Sequence, residues 1–139
     1  MGLPGSGKTF LARKLKEKLE RYISVDWFNA DEVRKEYNDW DFSREGRIRQ
    51  SFRMLTLMNQ SKADAVLLDL VAPLAVMRDV LDCDYVIWAD TISEGRFTDT
   101  NQIFNPPTKY NVRMTAKNCE YWSDVIAHTI LESRGIHDV

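Results

Sequence analysis

At 139 residues and 16.2 kDa the chain has the size of one domain and is long enough to bury a core. Its 44% hydrophobic and 29% charged residues argue against a disordered or collagen-like chain, and a net charge of -2 with a pI near 5.7 argues against a protein that coats nucleic acid. The longest apolar stretch, Ala65 to Met77, is broken by Asp69 and Pro73 and falls short of the roughly 18 residues a membrane span needs.

Three of the six glycines, Gly2, Gly5 and Gly7, fall in the first seven residues and predict a loop. Thr9 to Arg21 then carries Phe10, Leu11, Leu15 and Leu19 among lysines, an amphipathic helix. Tyr22 to Phe28 reads as a strand, and Asp31 is the expected N-cap of a short helix ending at Tyr37. Ser43 caps a longer predicted helix to Ser61, with Ile48, Phe52, Leu55 and Asn59 as its inward stripe. Ala65 to Leu70 and Tyr85 to Ala89 are short apolar runs that read as buried strands, and Pro73 is expected to start the helix between them. Residues 91 to 108 lose all periodicity and predict a functional loop. Tyr110 to Met114 is the last strand. Asn118 caps the last helix, with Trp122, Val125, Ile126 and Thr129 facing inward and Gly135 as its stop. Strands alternating with helices predict one α/β domain over residues 1–139, a mainly parallel sheet flanked by helices.

Cys83 and Cys119 lack the spacing of a zinc site or a disulfide framework, and no charged leader precedes an apolar run. Cytoplasmic residence is the expectation. His128 and His137 read as structural or exposed residues.

Gly2 to Thr9, Gly-Leu-Pro-Gly-Ser-Gly-Lys-Thr, matches the P-loop pattern G-x-x-x-x-G-K-[ST], and a helix follows it as the pattern requires. In such a loop Gly2, Gly5, Ser6 and Gly7 let successive backbone N–H groups turn toward phosphate oxygens. Lys8 would neutralise the β/γ-phosphates of ATP, and the Thr9 hydroxyl is placed for Mg²⁺. Asp69 closes the run Ala-Val-Leu-Leu-Asp, the shape of a strand whose terminal carboxylate meets that metal, although a polar strand end would read the same way. Arg34, Lys35, Arg44, Arg47, Arg49 and Arg53 cluster within twenty residues of an acidic chain and suggest an anion site. On a helix Arg47 and Arg49 lie about 200° apart, so both cannot serve one ligand.

GLPGSGKT, then NADEVR, then NDWDFSREGR resembles the adenylylsulfate kinase family, whose members read roughly GLSGAGKST, DGDNVR and N-x-x-x-GFS-x-x-DR. The resemblance covers about residues 2 to 53 and implies a nucleotide-kinase-like fold and transfer of the ATP γ-phosphoryl group to the 3′-hydroxyl of adenylyl sulfate. It implies that Asp31 lies near Mg²⁺ and the attacking hydroxyl, a role compatible with capping a helix. It further implies that Arg34 and Arg47 hold the phosphosulfate group, that Phe42 stacks on the acceptor adenine, and that Asn38 marks the turn beside it. The sequence departs from the family at Asn29, where the first acidic residue of DGDN is expected, and at Asp41, which replaces a glycine. Gln50 stands where the family has a substrate-contacting asparagine, and Ala72-Pro73-Leu74 replaces Ser-Pro-Tyr. The basic lid is cut down to residues 96–104, leaving Arg96 as the candidate cation for transition-state charge. The expected partner is a small nucleotide-like anion rather than nucleic acid or membrane, and the resemblance allows a homodimer. Another nucleotide-like acceptor, or nucleotide binding without turnover, are the alternative readings.

A P-loop normally joins a buried strand to a helix, and in this family that strand is central, between the strands read here as Ala65 to Leu70 and Tyr85 to Ala89. Only Met1 precedes Gly2. The sequence therefore predicts a sheet lacking its first strand, short by about five to eight apolar residues. Those neighbours should lie about 10 Å apart instead of about 4.8 Å, with the loop poorly anchored.

Overall fold

The computed structural model describes residues 1–95 and 98–136. Among the described residues four strands alternate with six helices, one helix more than the sequence predicts. Helix α1 spans Lys8–Leu19, β1 Val25–Asn29, α2 Ala30–Tyr37, α3 Arg44–Gln60, β2 Ala65–Asp69, α4 Ala75–Leu81, β3 Ile87–Ala89, α5 Thr98–Ile103, β4 Val112–Met114 and α6 Cys119–Ser133. No helix among the described residues is long and apolar enough to cross a membrane.

The strands form two parallel pairs rather than one sheet. β1 runs beside β2 with Val25 opposite Ala65 and Asn29 opposite Asp69, and β3 runs beside β4 with Ile87 opposite Val112. Between β2 and β3 lies a cavity. One core packs Leu11, Leu15 and Leu19 of α1 against Ile126, Ala127 and Leu131 of α6, and a second gathers Val33, Met54, Leu70, Ala72 and Leu81.

Several local expectations shift for identifiable reasons. Asn29, not Asp31, caps α2, because its carbonyl oxygen accepts from the Glu32 amide while Asp31 occupies the first turn. Ser43 does cap α3, accepting from the Gly46 amide. The buried face of α3 is Gly46, Arg47, Gln50, Ser51 and Met54, whereas Phe52 of the predicted stripe is 53% exposed. That helix lines a polar cleft, so its inward side carries polar residues. Helix α6 likewise buries Cys119, Ser123, Ile126, Ala127 and Leu131 and leaves Val125 exposed, since its small side chains admit α1 closely. Pro73 precedes α4 instead of starting it: Leu74 holds the cap position, and the Pro73 carbonyl accepts from the Asn105 amide. The predicted loop 91–108 contains α5, tied down where the Asn101 side chain both accepts from and donates to the Gly95 backbone.

Candidate active site

The glycine-rich loop leads into α1 with Gly5 at φ 88° and Gly7 at φ 97°, conformations that side-chain-bearing residues rarely adopt. Gly7 occupies the N-cap of α1, no side chain caps that end, and its first turn holds no acidic residue. No side chain competes there with an anion for the start of the helix, and the helix dipole favours negative charge at that end. Lys8 donates from Nζ to the Leu3 carbonyl at 3.1 Å, folding its ammonium back over the loop. The loop is fastened to β3's exit by the Thr91 hydroxyl, which donates to the Ser6 carbonyl at 2.7 Å.

Beside Lys8, the Thr9 hydroxyl donates to Asp69 Oδ2 at 2.7 Å, and Asn29 Nδ2 donates to the same oxygen at 2.8 Å. β1 and β2 end side by side at Asn29 and Asp69, so the pairing register itself delivers these two groups to the loop. A hydroxyl and a carboxylate oxygen are hard donors of the type Mg²⁺ takes together with nucleotide phosphates, and the chemistry of the set fits that ion. No group of three or more His, Cys, Asp or Glu suited to a metal occurs among the described residues, and a metal held largely by phosphates needs none.

Opposite the loop, the Phe42 ring lies under two guanidinium groups, with Arg34 at 4.4 Å and Arg47 at 5.3 Å from its centroid. Both arginines are buried, at 4% exposure. Arg34 donates to the Asp39 and Asp41 carbonyls, and Arg47 donates from Nε to the Phe42 carbonyl. Carbonyl partners leave the guanidinium charge formally intact, and burial pulls the Arg34 pKa below its usual value. The segment carrying Phe42 is braced from outside by Asp39, which accepts from Arg49 and Arg53. Hydrogen bonds from Arg49, the Asp41 amide and Arg53 hold the Asp39 carboxyl far below the ordinary carboxylate range. Gly46 closes the frame: a Cβ there would stand 2.2 Å from the Asp41 carbonyl oxygen, so α3 approaches this segment closer than any larger residue permits.

A cleft of about 700 Å³ unites Gly5, Gly7, Lys8 and Thr9 with Asp31, Asp69, Arg34, Phe42, Arg47 and Gln50. A family model for adenylylsulphate kinase matches residues 1–84. The chain belongs to the adenylylsulphate kinase family. In fold, this family member is similar to the Mycobacterium tuberculosis APS kinase CysC in complex with AMPPNP and APS, with 22% identity and a TM-score of 0.78 over 95% of this chain and 94% of that one. A cysteine-to-alanine mutant of that enzyme aligns with 25% identity and a TM-score of 0.70 over the same shares. No curated protein matches the sequence.

Not every expected residue of this adenylylsulphate kinase family member reaches the cleft. Asn38 ends α2 in a left-handed turn, exposed and away from the cleft lining, because the chain must reverse there. Gly2 and Ser6 lie beneath the loop rather than along the cleft: Gly2 donates to the Val71 carbonyl, and the Ser6 hydroxyl is buried without a partner. Gln50 lines the cleft, but its Nε2 donates to the Ala30 carbonyl and its Oε1 accepts from Arg53, so the amide joins α3 to α2. Arg96 and His137 fall outside the described residues, and His128 is exposed and paired with Glu132.

Thr100 and Trp40 are among the lining residues that sequence reasoning did not single out. Thr100 of α5 is buried and accepts from Arg47 Nη2 at 3.5 Å. Trp40 stands at the cleft rim, 51% exposed. A tryptophan in a polar turn two residues before Phe42 was the available signal for the second. Nothing in the local pattern marks the first.

Proposed function

We propose that this protein transfers the γ-phosphoryl group of ATP to the 3′-hydroxyl of adenylyl sulfate. The observation that carries this reading is the cleft itself, where an anion-receiving helix start and a hydroxyl–carboxylate pair face two buried guanidiniums stacked on an aromatic ring. The amides around Gly5 and Gly7, with Lys8, would hold the β- and γ-phosphates and receive the charge that develops as the bond to the leaving oxygen lengthens. Thr9 and Asp69 would hold Mg²⁺, with Asn29 fixing the carboxylate. When bound, the ion supplies shielding between phosphate oxygens. Asp31 would orient the acceptor hydroxyl and take up its proton. Arg34 and Arg47 would hold the phosphosulfate group, Phe42 and Trp40 would flank the adenine, and Arg96 would supply a lid cation.

One observation favours a related acceptor instead. The Gln50 amide is committed to Ala30 and Arg53, so a contact the resemblance assigns to acceptor recognition is used within the protein.

Thermal unfolding with ADP plus adenylyl sulfate, alongside ADP release from ATP, tests the reading. A ligand at 100 times its dissociation constant stabilises by about 2.7 kcal/mol. The expected result is a larger shift for the pair than for ADP alone, with acceptor-dependent ADP release. Stabilisation by nucleotide without acceptor-dependent turnover would overturn it.

A further inference from the structure

Thr100, the third residue of α5, lines the cleft and is buried at 5% exposure. Its helix is held from both ends. Before it, the Asn101 side chain bonds both backbone groups of Gly95. After it, the Asn105 amide donates to the Pro73 carbonyl at 2.7 Å, and Arg78 donates to the Asn105 carbonyl at 2.7 Å. Pro73 is itself a lining residue, so α5 is fastened to the cleft wall and Thr100 has a fixed place in it.

The partner of the Thr100 hydroxyl settles its polarity. Arg47 Nη2 stands 3.5 Å from Thr100 Oγ1, and a guanidinium carries donors and no acceptor. The hydroxyl therefore accepts from Arg47, and its own hydrogen points away from the guanidinium. Among the described residues that hydrogen meets no acceptor. Buried donors in folded proteins are paired as a rule, and one that lines a cleft is paired when a ligand oxygen arrives.

Arg47 is also oriented from its other side, by the bond from Nε to the Phe42 carbonyl, with its guanidinium 5.3 Å from the Phe42 ring. Three separate parts of the chain thus meet here: the segment before α3, α3 itself and α5. An anion beside Phe42 would meet the Arg34 and Arg47 cations and one hydroxyl.

We propose that Thr100 is a further binding residue for the acceptor, its hydroxyl donating to an oxygen of the terminal anionic group that Arg47 holds. The proposal rests on the acceptor reading given above and names the group that the cleft selects. That group is a terminal tetrahedral oxyanion, whose several oxygens can accept from guanidinium and hydroxyl together. A nucleotide without it leaves the hydroxyl as it stands in the free protein. Thr100 therefore acts on the difference between the two ligands and not on affinity for the nucleoside they share.

The test compares the parent with Thr100→Val, which nearly keeps the shape and removes the hydroxyl, and with Thr100→Ser, which keeps the hydroxyl. Adenylyl sulfate and adenosine 5′-monophosphate, which differ only in the sulfuryl group, are titrated calorimetrically into each protein with ADP and Mg²⁺ saturating the glycine-rich loop. Melting temperatures verify that the variants fold. The parent should prefer adenylyl sulfate. In Thr100→Val this preference should fall about tenfold or more, through weaker binding of adenylyl sulfate alone, and Thr100→Ser should retain it. A preference kept in full in Thr100→Val, or lost equally in both variants, would overturn the proposal while the acceptor reading stands. A parent that binds the two ligands alike would overturn the acceptor reading and the proposal with it.

Discussion

The two cavities are nearly equal in size, about 700 Å³ and about 620 Å³, and share Lys8, Asp69, Leu70 and Ala72 in their walls, yet they differ in how their polar groups are held. In the larger, the polar groups are already tied to the frame: Arg34 to two carbonyls, Arg47 to Phe42, Asp69 to Thr9 and Asn29. A charged ligand there meets oriented donors that need little rearrangement. In the smaller, apolar side chains of β2, β3 and α1 face one another, with Asp64, Arg78, Asp84 and Arg134 also in its wall. Volume alone would not have separated the two. The glycine-rich loop hangs between them, its donors turned toward one and its first residues bonded within the other.

The sharpest way to break this division is Lys8→Ala, because Lys8 touches both cavities. If its ammonium serves transferring phosphate, the variant should lose about 10² to 10³ in phosphoryl-transfer rate while its melting temperature changes little. Near wild-type turnover would remove the assignment.

Arg34→Ala and Arg47→Ala should each weaken the acceptor by about 1.5 to 3 kcal/mol, the worth of a hydrogen bond to a charged group, with little effect on ATP. Titration of each ligand separately checks this, and amide exchange in β2 and β3 should stay as in the parent. Gly46→Ala comes next. Its new methyl group would press on the Asp41 carbonyl, displacing the segment that carries Phe42 at a cost of about 1 to 3 kcal/mol. Acceptor affinity should fall with stability, whereas ATP affinity should hold.

Acid sharpens the comparison further, since the frame of the cleft holds a strongly depressed carboxyl. The Asp39 carboxyl is depressed in the folded protein, so the unfolded chain takes up the proton first as pH falls below about 4. Its contribution is present above that value and is lost as pH drops toward the folded pKa. Melting temperature against pH should be flatter below pH 4 in Asp39→Asn than in the parent. The smallest effect belongs to Arg49→Ala. Arg49 is 46% exposed and on the far side of α3 from the cleft, and acceptor affinity should stay within about twofold. Damage equal to that of Arg47→Ala would mean that the brace on Asp39 governs the cleft.

What the sequence determined by itself is what short-range chemistry controls. The glycine pattern before Lys8 set the loop and the start of α1, and Ser43 set the start of α3, because positive φ and side-chain caps are decided within four residues. The helical angle between Arg47 and Arg49 separated a buried arginine from an exposed one. Tertiary structure decided the rest. Only the pairing of β1 with β2 brings Asn29 against Asp69, forty residues away, and makes one a cap and the other its anchored partner. Only the placement of α5 brings Thr100 to Arg47. The inward face of α3 misled the apolar pattern for the same reason. A helix that walls a polar cleft is rewarded for turning Arg47 and Gln50 inward, since they find partners in the Phe42 segment and in α2, while Ser51 bonds back to the Arg47 carbonyl of its own helix.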